Sequence, residues 1–168
     1  MKKVTQNGTV ASHERYLYRG YLQIAALDML DNRNVLRTLL WDPLEPVATR
    51  PLALVQDASL YCYGVDFNKN VSEVFDREGA VAATYDYSPY GAVTGTGSLG
   101  QPVQWSGEMH DEEPALAYYN YRFYNPKDGR WINRDPIAEQ GGWNLYAFLG
   151  NSLQDKFDAL GLEDKKKR

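Results

Sequence analysis

Two aspartates stand where the chain is built to turn: Asp135 directly precedes Pro136, and Asp158 lies three residues ahead of Gly161. Brought together, two carboxyls can hydrolyse an amide. One, ionised, activates water; the other, protonated, donates a hydrogen bond or a proton to the scissile carbonyl. Held about 3 Å apart they cannot both ionise, so they share a proton and titrate as a pair. Such chemistry favours mildly acidic pH. The 23-residue separation says nothing about distance, but the intervening Gly141-Gly142 offers a place for the chain to reverse. Each aspartate also has a purely structural use: Asp before Pro caps helices, and Asp with Gly at i+3 fits a type I turn. Arg122, set among Tyr118, Tyr119, Tyr121, Phe123 and Tyr124, fits a strand arginine stacked on aromatic rings.

Other constellations carry less. Asp111-Glu112-Glu113 lacks the alternating oxygens and loop glycine of a calcium loop and reads as a solvated turn. Asp128 before Gly129 is a turn residue first. Ser12-His13 and Ser106 with His110 have no nucleophile elbow and no placed acid. Cys62 is the single cysteine; between Tyr61 and Tyr63 it reads as a buried strand thiol, and neither a disulfide nor a thiolate zinc site is available. No cofactor or metal is expected. Trp105, Trp131 and Trp143 are expected in the core.

The elements that must position these groups are β in character. The sequence holds 168 residues, of which 43% are hydrophobic, enough for one domain with a real core. Its 13 tyrosines favour half-buried sheet faces. Lys165, Lys166, Lys167 and Arg168 are bunched together, so residues 1–164 carry 14 basic against 22 acidic side chains. That balance argues against nucleic acid as partner, because phosphate contacts need clustered cations. No apolar run approaches the ~18 residues of a membrane span, and Val4–Val10 is too polar for a signal peptide after Lys2-Lys3. Residues 163–168 read as a charged, solubilising tail.

Residues 16–27 and 35–41 form two apolar runs around Asp31-Asn32-Arg33-Asn34 and predict a hairpin. Pro43, Pro46 and Pro51 predict a loop or edge over 42–51. Onward from Leu52 the chain repeats an aromatic, then Asp or Asn, then a glycine, at 75–79, 85–91, 124–129 and 157–161. In each, the Asx side chain opens a turn by bonding its own backbone and glycine closes it. Residues 92–107, with Thr94-Gly95-Thr96-Gly97-Ser98, predict a flexible loop. Helix signals are confined to Asp135-Pro136-Ile137-Ala138-Glu139 and to Trp143–Leu149, closed by Gly150-Asn151.

The stretch Tyr118-Tyr-Asn-Tyr-Arg-Phe-Tyr-Asn-Pro-Lys-Asp-Gly-Arg-Trp-Ile-Asn-Arg-Asp-Pro136, with Gly141-Gly-Trp-Asn-Leu-Tyr-Ala-Phe-Leu-Gly-Asn151 and Phe157-Asp-Ala-Leu-Gly-Leu162, closely resembles the end of the core domain associated with RHS (rearrangement hotspot) repeats. The C components of insecticidal toxin complexes carry such a core. The resemblance is strong over 85–162, moderate over 52–84 and repeat-like before that. It implies a mainly β fold of hairpin-rich antiparallel sheet with one or two short helices late in the chain. One domain over 1–162 is implied, with repeat-like hairpins in 1–84 and the core motif in 85–162.

It also implies an aspartic peptidase that cuts its own chain, with Asp135 and Asp158 as the catalytic pair, Arg122 assisting, and the cut between Leu162 and Glu163. Ala159 departs from the family pattern, which has proline there. Action in trans on polypeptides or glycoproteins is a variant of this reading. A rival from another class is a non-catalytic structural or binding module. The implied partners are a peptide or protein substrate, and a protein docked on exposed sheet faces. The implied setting is bacterial, secreted or at the cell surface.

Overall fold

Alternation sets the architecture. In β6 (Ser59–Val65), Tyr61 and Tyr63 turn to one face and pack on the core, while Cys62 between them turns to the other and is exposed. Such alternation recurs strand after strand in the computed structural model of the chain, which describes all residues but 46–48, 154–155, 163–164 and 167–168.

Nine strands form one antiparallel sheet in strict chain order: β1 (Lys2–Gln6), β2 (Thr9–Arg19), β3 (Leu22–Asp28), β4 (Val35–Trp41), β5 (Pro51–Gln56), β6, β7 (Val71–Phe75), β8 (Val81–Tyr87) and β9 (Val93–Gly97). The cross-strand rows Leu39–Leu54–Tyr61 and Tyr63–Val74–Ala83 lie on the inner face. With Leu22, Trp41, Val71 and Val103 they make the first core, and the Trp41 indole donates to the Gln23 carbonyl at 2.7 Å.

A second sheet follows, of β10 (Met109–Asp111), β11 (Leu116–Tyr119), β12 (Arg122–Asn125) and β13 (Arg130–Trp131). Its own core is aromatic: Tyr119, Tyr124, Trp131 and Phe148, with Ala117 and Leu149. The fold is mainly β and hairpin-rich, as expected, and its helical content among the described residues is three short 3-10 turns. None of them is long or apolar enough to cross a membrane.

Three of the four expected Asx turns form; at 85–91 the aspartate, Asp86, is paired inside β8 and the turn is opened by the Ser88 hydroxyl, which accepts from the Ala92 amide. Asp76 accepts from Glu78 and Ala80, Asn125 accepts from Lys127, and Asp158 accepts from Leu160, Gly161 and Leu162. The hairpin around 31–34 also forms, joining β3 to β4.

Other expectations are corrected. The run 16–27 is two strands, β2 and β3, reversed at Gly20-Tyr21, because both strands carry apolar residues up to the turn and no change of composition marks it. The region 92–107 is not a flexible loop: β9 pairs with β8 along its whole length, and Gln101, Val103 and Gln104 are buried. Its glycines permit close approach, since a Cβ on Gly97 would stand 2.4 Å from the Ala82 carbonyl oxygen.

Trp143–Leu149 is not helical. Asn144 makes an Asx turn to Tyr146, Ala147 bridges to Arg130, and the helical turn falls later, at Leu149–Asn151. Trp143 is 93% exposed, not core. Cys62 is exposed because alternation outranks its small apolar character. Of the loop prolines, Pro46 lies outside the described residues, and Pro51 opens β5, where a missing N–H is tolerated. Within the tail, Lys165–Lys166 pairs through its backbone with Lys156–Phe157.

Candidate functional site

Arg122, Asp135 and Asp158 meet. Arg122 is the first residue of β12, placed there by the tight Asn120-Tyr121 turn that closes the β11–β12 hairpin. Its side chain points into the protein and is 3% exposed. Asp135 follows β13. Its amide donates to the Leu145 carbonyl at 3.1 Å, and its Oδ1 accepts from the Ile137 amide at 2.9 Å. Pro136 has no N–H, so the turn closes on the residue beyond it. The expected N-cap is therefore an Asx turn, and the 3-10 turn begins later, at Ala138.

Asp158 heads the turn at 158–162. Its Oδ1 accepts three amides, from Leu160 at 3.0 Å, Gly161 at 2.7 Å and Leu162 at 3.3 Å. Its side chain is 1% exposed.

One guanidinium joins them. Arg122 Nη1 donates to Asp135 Oδ2 at 2.7 Å, Nη2 donates to Asp158 Oδ2 at 3.3 Å, and Nε donates to the Gly161 carbonyl at 2.6 Å. The planar fork of arginine suits this three-way contact. Each carboxyl is bonded to Arg122 and neither to the other, so the direct proton-sharing contact expected at about 3 Å gives way to a bridged pair. The fixed cation between the carboxyls reduces their mutual repulsion and so the need to share a proton.

Burial pushes the Asp158 carboxyl up from its ordinary value, against the pull of its three amides and of Arg122. Desolvation outweighs these partners because it acts on the whole charged group.

The segment carrying Leu162 fills the site. The Leu160 carbonyl accepts from the Tyr121 amide at 3.2 Å, and the Gly161 carbonyl accepts from Arg122. Gly161 has φ +75°, and a Cβ there would stand 2.8 Å from the Tyr119 carbonyl oxygen and 3.2 Å from the Arg122 amide nitrogen. Glycine is the residue that fits both the conformation and the space. Leu162 is thus tied by its own amide to Asp158, and Glu163 lies outside the described residues. A cavity of about 790 Å³ opens between the two sheets, bordered by Tyr18, Gln23, Arg37, His110 and Tyr118, and none of the three site residues borders it.

Sequence reasoning missed two neighbours. Trp131 lies with its indole face 4.0 Å from the Arg122 guanidinium carbon; an arginine among aromatic residues signalled stacking, but not on which ring. Glu108 is fully buried, accepts from the Thr49 hydroxyl at 2.9 Å and is held well above the usual carboxylate range, first by burial and further by the charge of Asp158. Nothing in the sequence around Glu108 marks it. Among the described residues no group of three or more His, Cys, Asp or Glu is placed to hold a metal ion.

No family model matches the chain. It is 38% identical over 87 residues, 48% of its length, to the double-stranded DNA deaminase toxin A of Burkholderia cenocepacia, covering 6% of that protein. It is 28% identical over 154 residues, 88% of its length, to the toxin subunit YenC2 of Yersinia entomophaga, covering 14% of it. Among solved structures, the crystal structure of TcdB2-TccC3 superposes with a TM-score of 0.73 at 20% identity, over 95% of this chain and 8% of that one. At that identity the likeness is one of fold. The chain spans only a small part of each of these proteins.

Proposed function

Since the chain carries an RHS-associated core like those of bacterial toxin proteins, we propose that it is an aspartic peptidase acting on its own Leu162–Glu163 bond. The observation that supports this most is the occupancy of the site. Residues 158–162 dock against Arg122, which bonds the Gly161 carbonyl and the Asp158 carboxyl and joins both to Asp135, and the Tyr121 amide holds the Leu160 carbonyl.

Asp135, the nearer of the two to Arg122, serves as the base, and Asp158, raised by burial, as the acid. The oxygen of a water adds to the Leu162 carbonyl carbon while Asp135 takes its proton. Asp158 gives a proton to the departing Glu163 nitrogen, and the C–N bond breaks. Arg122 stabilises the negative charge in transit as a cation that cannot be deprotonated.

A site filled by its own chain favours action in cis over action in trans on other polypeptides or glycoproteins. A second reading, a non-catalytic binding module, draws on the outer face of the large sheet, where Leu40, Val55, Leu60 and Val81 are exposed and suited to a protein partner. The relatives also suggest a bacterial, secreted or cell-surface setting. Nucleic acid remains an unexpected partner on charge grounds, and neither reading calls for a cofactor.

Intact mass spectrometry of the protein incubated from about pH 3 to 8, with Asp135→Asn and Asp158→Asn alongside, tests the proposal. Loss of residues 163–168 that depends on both aspartates supports it. A full-length mass at every pH, or a cut that survives both substitutions, sinks it.

A further inference from the structure

We propose that Trp131 is a positioning residue, whose indole face sets the plane of the Arg122 guanidinium and through it the presentation of Asp135 and Asp158 to the 158–162 segment. The inference rests on the self-cleavage reading for its kinetic consequence, but not for its geometry. Arg122 directs in-plane donors at three acceptors from two separate stretches of chain, Asp135 and the 158–162 turn, so a small rotation of the plane misaligns all of them. The group that restricts that rotation is the one lying on its face, the indole at 4.0 Å.

The indole is itself clamped. Its ring meets Tyr119, Tyr124 and Phe148 edge-on, at centroid distances of 5.2, 5.7 and 5.2 Å and interplanar angles of 89°, 70° and 74°. Its backbone is fixed by the ladder to Tyr124 and by the amide bond to the Tyr146 carbonyl at 3.0 Å. Orientation therefore passes from the aromatic core to the indole, from the indole to the guanidinium, and from there to both carboxyls.

A second observation bears on the choice of tryptophan at this position. The Trp131 indole Nε1 is buried and has no hydrogen-bond partner among the described residues. A buried donor without an acceptor costs stability, and phenylalanine would fill most of the same space without that cost. What tryptophan offers in return is the strongest face for a cation among the aromatic side chains.

The test compares the full chain with Trp131→Phe and Trp131→Leu by three readouts: melting temperature, the rate of loss of 163–168 by intact mass from pH 4 to 8, and the Arg122 Nε–H signal by NMR. The indole predicts a ring-current shift and slow exchange for that proton. Trp131→Phe should melt no lower than the parent yet cut about tenfold more slowly, with the Arg122 signal moved and exchanging faster. Trp131→Leu should cut more slowly still.

Trp131→Phe cutting at the parental rate with an unmoved Arg122 signal overturns the proposal. So does a slowing matched by a fall in melting temperature across both variants, which is what a merely structural role gives. Should the parent not cut at any pH while the Arg122 signal still depends on Trp131, the peptidase reading falls and the positioning role stands.

Discussion

Replacing Gly161 with alanine probes how tightly the 158–162 segment is pressed into the site. Two separate costs follow from the geometry. At φ +75° an L side chain is strained by about 1–2 kcal/mol. The new Cβ would also stand 2.8 Å from the Tyr119 carbonyl oxygen, 3.0 Å from the Tyr119 Cβ and 3.2 Å from the Arg122 nitrogen, all in or beside backbone, and overpacking of that kind costs about 1–3 kcal/mol. The total is about 2–5 kcal/mol.

Gly79 provides an internal control. It too closes an Asp-x-x-Gly turn at positive φ, +86°, but a Cβ there meets nothing within 4 Å, so Gly79→Ala carries the strain term alone. Thermal unfolding of the two variants side by side isolates the packing term. With about 2–4 °C per kcal/mol for a chain of this size, Gly161→Ala should melt at least about 2 °C below Gly79→Ala. If the two melt together, the 158–162 segment is not pressed against Tyr119 and Arg122 and the site is not filled by its own chain.

Three further outcomes are expected. Arg122→Met leaves two buried carboxyls without their cation and should destabilise by about 3–5 kcal/mol in denaturant titration, whereas Arg37→Met, which breaks the partly exposed pair with Glu14, should cost about 1 kcal/mol or less. Asp158 and Glu108 both have folded values raised above their unfolded ones, so the stability they contribute is whole below about pH 4 and is lost as pH rises through the raised values. The melting temperature should therefore fall from pH 5 to pH 8, and Glu108→Gln should remove part of that fall; a flat profile would contradict the assignment. Cys62, exposed on the outer sheet face, should react with a thiol reagent in the native protein as fast as in the unfolded one, read as coloured product against time.

The turns were legible in the sequence because their physics is local. An Asx side chain bonds amides two to four residues on, so Asp76, Asn125 and Asp158 announce themselves without knowledge of the rest of the chain. The three site residues were legible only through the resemblance: nothing local to Arg122 or Asp135 says that 13 residues of chain fold back to a 2.7 Å contact. Non-local packing hid the rest. Gly95 and Gly97 read as flexibility because composition cannot distinguish a glycine that moves from one against which another strand lies. Trp143–Leu149 has helical spacing, but pairing of Ala147 with Arg130 and the Asn144 turn claim its backbone first. Cys62 and Trp143 were misplaced by their apolar character, which strand parity and loop position override.

The strictly sequential order of the nine-stranded sheet has a consequence for how the protein comes into being. Each strand pairs with the one made just before it, so the sheet can grow as the chain leaves the ribosome, one hairpin at a time, with few distant contacts to wait for. The site does not share this locality. Arg122 meets Asp158 across 36 residues, joining β12 to the turn at 158–162. The two carboxyls therefore come together around their arginine only through contacts that are distant in the chain: a chain still folding has the residues but not the site.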